Sequence, residues 1–255
     1  MEILFERLEE AQRDGWAAIH QGAFWTHLRA HGLDRDLYVR VMTEIFHYTK
    51  HNAQNQAVAA LKVTSDRLKL LRYCLHHAYE EAGHDLMVVA DLGSIGVPAE
   101  AILTSRPLPE TQAFIAYLYR IAAEQDATAR LGYSYWAEGA YAFIAELIGA
   151  MRRDLGLQDH QMTFFVEHST IDTAHLGAVR KVIAEFCTTA ALQEEAIACL
   201  ATSLHLTGQI LDGAHREYRR ARRPLSIAAE RPVADAAVSA APAPGMRAAA
   251  AISRG

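Results

Sequence analysis

Prolines partition this chain more sharply than any other residue. They stand at 98, 107, 109, 224, 232, 242 and 244, which leaves 1–97 and 110–223 without one. Proline removes a backbone donor and collides with the preceding turn, so stretches this long without it are open to continuous helix. Alternating β-branched runs bounded by turns, the mark of strands, do not occur. The expected class is all-α.

Capping residues set the expected helix limits. Helices are predicted over 2–19 and 23–31, then over 35–61 after an N-cap in Gly32-Leu33-Asp34. Ser65 or Asp66 caps the next, over 66–92, which Gly93–Gly96 and Pro98 end. A short helix follows Pro98. Helices over 110–124, 126–154, 158–185 and 189–222 complete a bundle with short turns. Residues 1–222 are expected to form the domain. Residues 223–255, rich in Ala and Pro, are expected to be a disordered tail.

A net charge of −5 gives no electrostatic case for nucleic acid, and the basic run 216–223 reads as a helix C-terminus. Three cysteines without paired spacing form neither a disulfide framework nor a thiolate metal site, and they suggest a reducing cytosol. No signal peptide or membrane-spanning run is read, so a cytoplasmic protein is expected.

Thirteen histidines are roughly twice the usual share. The densest group is His168, Asp172 and His175, spaced i, i+4, i+7, which a helix places on one stripe. Two imidazoles and a carboxylate suit non-haem iron. Other predicted helices offer Glu81-x-x-His84 with Glu80 adjacent, Glu138 among tyrosines and small residues, and Glu44, His47 or His51. A carboxylate from each of two helices plus a carboxylate-x-x-His pair from each of two others is how helical bundles hold two irons. Trp25, Tyr48, Tyr79, Tyr135, Trp136 and Tyr141 are candidates to line a pocket or orient ligands, with core packing as the alternative. His51, Tyr48, Tyr135 and Tyr141 are the candidate substrate-pocket residues.

At these residues the chain resembles the haem-oxygenase-like diiron oxidases and oxygenases, a group of iron-containing redox enzymes. The resemblance spans about 15–220. It is carried by His20-x-x-Ala23-Phe24-Trp25-x-His27, the segment 80–85, Glu138 in its Gly/Tyr-rich helix, and His168-x3-Asp172-x2-His175. It implies a seven-helix bundle, frequently dimeric, with two irons on Glu81, His84, Glu138, His168, Asp172 and His175. Glu44 or His47 is a further contributor in that reading, and Glu80 competes with Glu81. The implied chemistry is oxidation by dioxygen, with room for an external electron donor. Implied substrates are amines, fatty acids or amino acids, commonly in natural-product pathways. An amine or amino acid, N-oxygenated or cleaved at a C–C or C–N bond, is expected from the polar residues His47, His51, Asn52 and Asn55.

Three other readings share part of this pattern. A ferritin-like diiron protein would not need His168. A thiaminase-like enzyme, free of iron, would need a cysteine nucleophile, and no cysteine lies between 75 and 186. A haem oxygenase would use an axial histidine such as His20.

Overall fold

The computed structural model describes residues 2–222, the side chains of 168–174 excepted. Twelve α-helices occur among these residues and no strand. They are α1 (Glu2–His20), α2 (Ala23–His31), α3 (Arg35–Thr49), α4 (Asn52–Ala60), α5 (Leu68–Glu81) and α6 (His84–Ser94). There follow α7 (Ala99–Leu103), α8 (Pro109–Glu124), α9 (Leu131–Gly139), α10 (Ala145–Leu155), α11 (Thr163–Phe186) and α12 (Ala190–Ala221). Among the described residues no helix is long and apolar enough to cross a membrane.

Several boundaries follow the expected capping chemistry. Asp34 accepts from the Leu37 amide at 3.0 Å to start α3. Thr189 does the same for Leu192 at the start of α12. Gly156, at φ 66°, ends α10 in the left-handed conformation that glycine tolerates best.

The seven-helix bundle that the resemblance implies is corrected to twelve α-helices among the described residues: the sequence already marks nine helical segments, and three of the long ones are broken. The 35–61 helix stops at Thr49 and restarts at Asn52, where the Asn55 side chain donates to the His51 carbonyl at 2.7 Å. The 66–92 helix is cut at Gly83, whose φ of 100° no helix accommodates. The 126–154 helix contains a 3₁₀ turn over Ala140–Phe143. The break at Gly83 matters most: Glu81 closes α5 and His84 opens α6, so this pair spans a glycine turn and shares no helical face.

The long α12 is the spine, with α1, α3, α8 and α9 packed along it. Helix α9 lies between α12 and α11, and α4 pairs with α5. The approach of α9 to α12 requires Gly132, where a Cβ would collide with the carbonyl of Ala196. Phe114, Tyr133 and Trp136 pack ring to ring in the core, with Tyr48 against two of them. This packing leaves α9, α5 and α11 with polar side chains turned toward one another.

Candidate metal centre

His77 and Glu81 lie one turn apart on α5, and Glu138 faces them from α9. One donor atom from each lies within 4.8 Å of the other two, and all three side chains are buried. His77 Nε2 is 3.0 Å from Glu138 Oε1. His84 Nδ1 is 3.5 Å from Glu81 Oε1 across the Gly83 turn. His175, from α11, reaches Glu138 Oε2 at 3.4 Å through Nδ1 and Glu80 Oε1 at 3.7 Å through Nε2. Three imidazoles and two buried carboxylates therefore share one space.

Burying a carboxylate penalises its charged form, yet both acids here stay ionised. Burial pushes the Glu81 carboxyl up. The hydrogen bond from His84 and the positive fields of His77 and His84, helped by Asn52, overcome it and hold Glu81 at about 2. Burial likewise opposes ionisation of Glu138, and hydrogen bonds from His175 and His77 bring its pKa below the ordinary value. The same bonds act on the histidines: the Glu138 carboxylate, against burial, lifts His175 to about 8. The Glu81 carboxylate raises His84.

A second layer orients Glu81. Asn52 donates to Glu81 Oε2 at 3.1 Å, and Tyr133 fixes Asn52 by donating to its Oδ1 at 2.6 Å. The buried guanidinium of Arg130 lies over the Tyr133 ring at 4.7 Å and donates to Ser134 at 2.9 Å and to Asn55. Partners of this kind hold ligands in place before a metal arrives.

The donor set fits iron. Imidazole and carboxylate are the ligands that non-haem iron takes, and Nδ1 of His77 is buried without a hydrogen bond among the described residues.

The expected site residues divide into groups. Glu81, His84, Glu138 and His175 meet in the cluster, with Glu80 at its rim, also paired to His76 at 3.0 Å. The side chains of His168 and Asp172 lie outside the described residues. Glu44 and His47 do not join it. Glu44 accepts from the Leu108 amide at 3.0 Å and the Thr111 hydroxyl at 2.5 Å, tying α3 to the start of α8. His47 pairs with the Ser105 hydroxyl at 2.8 Å. Sequence reasoning missed His77, and it read Asn52 as a substrate-facing residue without seeing that it orients Glu81. The His77-x3-Glu81 spacing was the available signal for His77.

An apolar cavity opens against the cluster, with a void of about 130 Å³. Glu81, Glu138 and Asn52 line its polar side, and Trp16, Trp25, Ile45, Tyr48, Trp136 and Tyr141 are among its walls. Tyr48 and Tyr141 are thus wall residues. His51 and Tyr135 are not among the lining: His51 pairs with the Tyr119 hydroxyl at 3.1 Å, and Tyr135 accepts from Arg180 at 3.0 Å. Tyr79 is exposed. Of the four polar residues expected to face substrate, Asn52 lines this cavity and His47, His51 and Asn55 do not.

A model of a family described as iron-containing redox enzymes matches residues 39–208. The chain belongs to this family. A domain of unknown function from Shewanella denitrificans, with a haem oxygenase-like fold, is 39% identical, covering 87% of this chain and 96% of that one with a TM-score of 0.84. Haem oxygenase from Leptospira interrogans is 15% identical, covering 82% and 98%, TM-score 0.64. A TenA homologue from Pseudomonas syringae is 15% identical, covering 84% and 93%, TM-score 0.71. The last two show the fold alone. Comparison with curated proteins gives no match. The fold is therefore haem-oxygenase-like, and the family is one of iron-containing enzymes.

Proposed function

We propose that this protein is a dioxygen-dependent, non-haem diiron oxidoreductase that oxidises a small amphipathic metabolite. The observation that carries this reading is the buried cluster of His77, Glu81, His84, Glu138 and His175 opening onto an apolar cavity, in a chain of an iron-containing redox family. These five side chains would hold the metal, with His168 and Asp172 of the same α11 completing the set. Iron bound there would supply the electrons that reduce dioxygen.

The chain's own groups have separate tasks. Asn52, held by Tyr133, fixes Glu81 in one orientation. Glu138 receives the His175 N–H and can exchange a proton with it at Oε2. The tryptophan and isoleucine walls exclude water and hold the apolar part of the substrate against the carboxylates.

Cavity size narrows the substrate. A void of about 130 Å³ compares with the ~150 Å³ engineered cavity that binds benzene. A ring-sized apolar group therefore fits, and a long acyl chain would need the cavity to enlarge. Among the described lining residues there is no Lys, Arg or His to pair with a substrate carboxylate, whereas Glu81 and Glu138 are acidic. The lining thus favours an amine over a substrate with a free carboxylate, and the size of the void favours an amino acid with a compact apolar side chain over a long-chain fatty acid.

The cysteine-dependent alternative gains nothing here. All three cysteines are buried and none is among the cavity-lining residues. Burial holds Cys74 and Cys187 at about 11, far from a ready thiolate. The haem alternative is not favoured either, because His20 is paired with the Phe143 carbonyl at 3.0 Å and the void is too small for a porphyrin.

The test is oxygen uptake after anaerobic loading with ferrous iron, across a panel of aromatic and branched amines and amino acids. Stimulated uptake with an oxidised product by mass spectrometry is expected. Uptake by no member of the panel, with iron bound, would overturn the substrate class. Failure to bind iron at all would overturn the whole reading.

A further inference from the structure

Three histidines gather where the end of α2 meets the last turns of α12. His27 and His31 stand one turn apart on α2, and His215 approaches from α12. The His27 ring centroid lies 4.8 Å from that of His31 and 4.7 Å from that of His215. Tyr218 closes one side, 5.4 Å from His27. Nε2 of His215 is buried and has no hydrogen-bond partner among the described residues.

Packing alone accounts poorly for this group. A buried ring nitrogen without a partner forfeits its hydration, and imidazoles in contact repel once protonated. A metal ion would satisfy both. A His-x3-His pair on one helix face is a standard way to present two nitrogens to zinc, and His215 adds a third from a neighbouring helix. Imidazoles sharing one ion at Zn–N of about 2.0–2.1 Å have ring centroids roughly 5 Å apart, close to the two spacings around His27. As the side chains stand, one nitrogen from each of the three rings does not lie within 4.8 Å of the other two, so His31, exposed at the end of α2, has to turn inward to complete the set.

The surroundings are built to hold this geometry. Asp212 of α12 accepts from the Phe24 amide at 2.9 Å, which pins the start of α2 to α12. Asp34 accepts from the Tyr218 hydroxyl at 2.6 Å and pairs with Arg222 at 2.9 Å, so it is engaged beside the group without belonging to it. Burial first, then the neighbouring histidines and Arg219, keep His27 below the ordinary histidine range. Burial and Arg219 do the same for His215. Neutral imidazole is the form that binds metal.

We propose that His27, His31 and His215 form a second metal site, distinct from the buried cluster, that takes one zinc-like divalent ion with water in the remaining position. Such an ion would staple α2 to α12.

The experiment is calorimetric titration of Zn²⁺ into the iron-treated full chain and its His31→Ala and His215→Ala variants, with the exposed His205→Ala as control. One Zn²⁺ equivalent is expected in the parent and the control. Both variants should lose it or bind about tenfold or more weakly. Because His31 is exposed, His31→Ala is expected to keep the parent's circular dichroism and thermal midpoint without zinc. No Zn²⁺ equivalent in the parent beyond the buried cluster, or an equivalent bound at parental affinity in either variant, would overturn the proposal. The count is a difference between parent and variant, so it stands whether or not the buried cluster takes iron. His84→Ala, which touches that cluster, should alter iron content and leave this zinc equivalent in place.

Discussion

Two buried acid–histidine groups sit in this molecule, and they do opposite things. On α3, Glu44 and His47 are fully engaged by neutral partners: an amide and a hydroxyl for Glu44, a serine hydroxyl for His47. Burial dominates there, raising Glu44 and lowering His47 to about 4. Between α5, α9 and α11, Glu81 and Glu138 are instead surrounded by imidazoles, which lower the acids while the acids raise His84 and His175. Burial of a carboxylate therefore does not make it a ligand. What decides is whether its partners already satisfy it or are themselves donors to a metal.

Oxygen uptake should separate the two groups most widely. Glu138→Gln should abolish ferrous-dependent uptake, a loss of about 10²-fold or more, whereas Glu44→Gln should leave it within about twofold. Equal losses would merge the two groups and break the contrast.

Stability should separate them in the reverse sense. Removing the Glu44 carboxylate strands the Leu108 amide and the Thr111 hydroxyl, at a cost of about 1–3 kcal/mol in urea unfolding of the metal-free protein. Glu80→Gln, at the half-buried rim of the cluster, should change that stability by less than about 1 kcal/mol.

Asn52→Ala probes the layer between the two effects. Glu81 remains but loses its orienting bond, so iron affinity should fall by about 10–100-fold with unchanged capacity at saturation. An unchanged dissociation constant would remove Asn52 from the centre.

The histidines should also titrate in opposite directions in the metal-free protein. His175 is raised, so its pairing with Glu138 contributes stability that is complete below about pH 6.5 and is lost as pH rises through about 8. His47 is depressed, so stability falls as pH drops from about 6.5 toward 4. Histidine ring protons followed by NMR across that range would read both. Shifts of the same sign would contradict the assignment.

Much of the fold was legible because proline and capping residues act locally. Asp34 caps α3 where the sequence placed its start, and α10 ends and α12 begins within one residue of the expected limits. The breaks at His51 and Gly83 were harder: no proline or glycine marks the first, and the second hides behind an intact-looking Glu81-x-x-His84 spacing. Glu81, His84, Glu138 and His175 could be picked out as metal-capable residues on separate elements. Glu44 could not be told from them, since its satisfaction by Leu108 and Thr111 is a tertiary fact. His77 was passed over because a carboxylate-x-x-His search does not see a histidine one turn before its carboxylate.

The central claim is that the α5–α9–α11 cluster, and not the α3 group, binds iron. Its most direct test is the iron count per chain after anaerobic ferrous loading and desalting. The account predicts about two irons in the parent and in Glu44→Ala, and essentially none in Glu138→Ala. Iron retained at parental level in folded Glu138→Ala, or lost from folded Glu44→Ala, would contradict it.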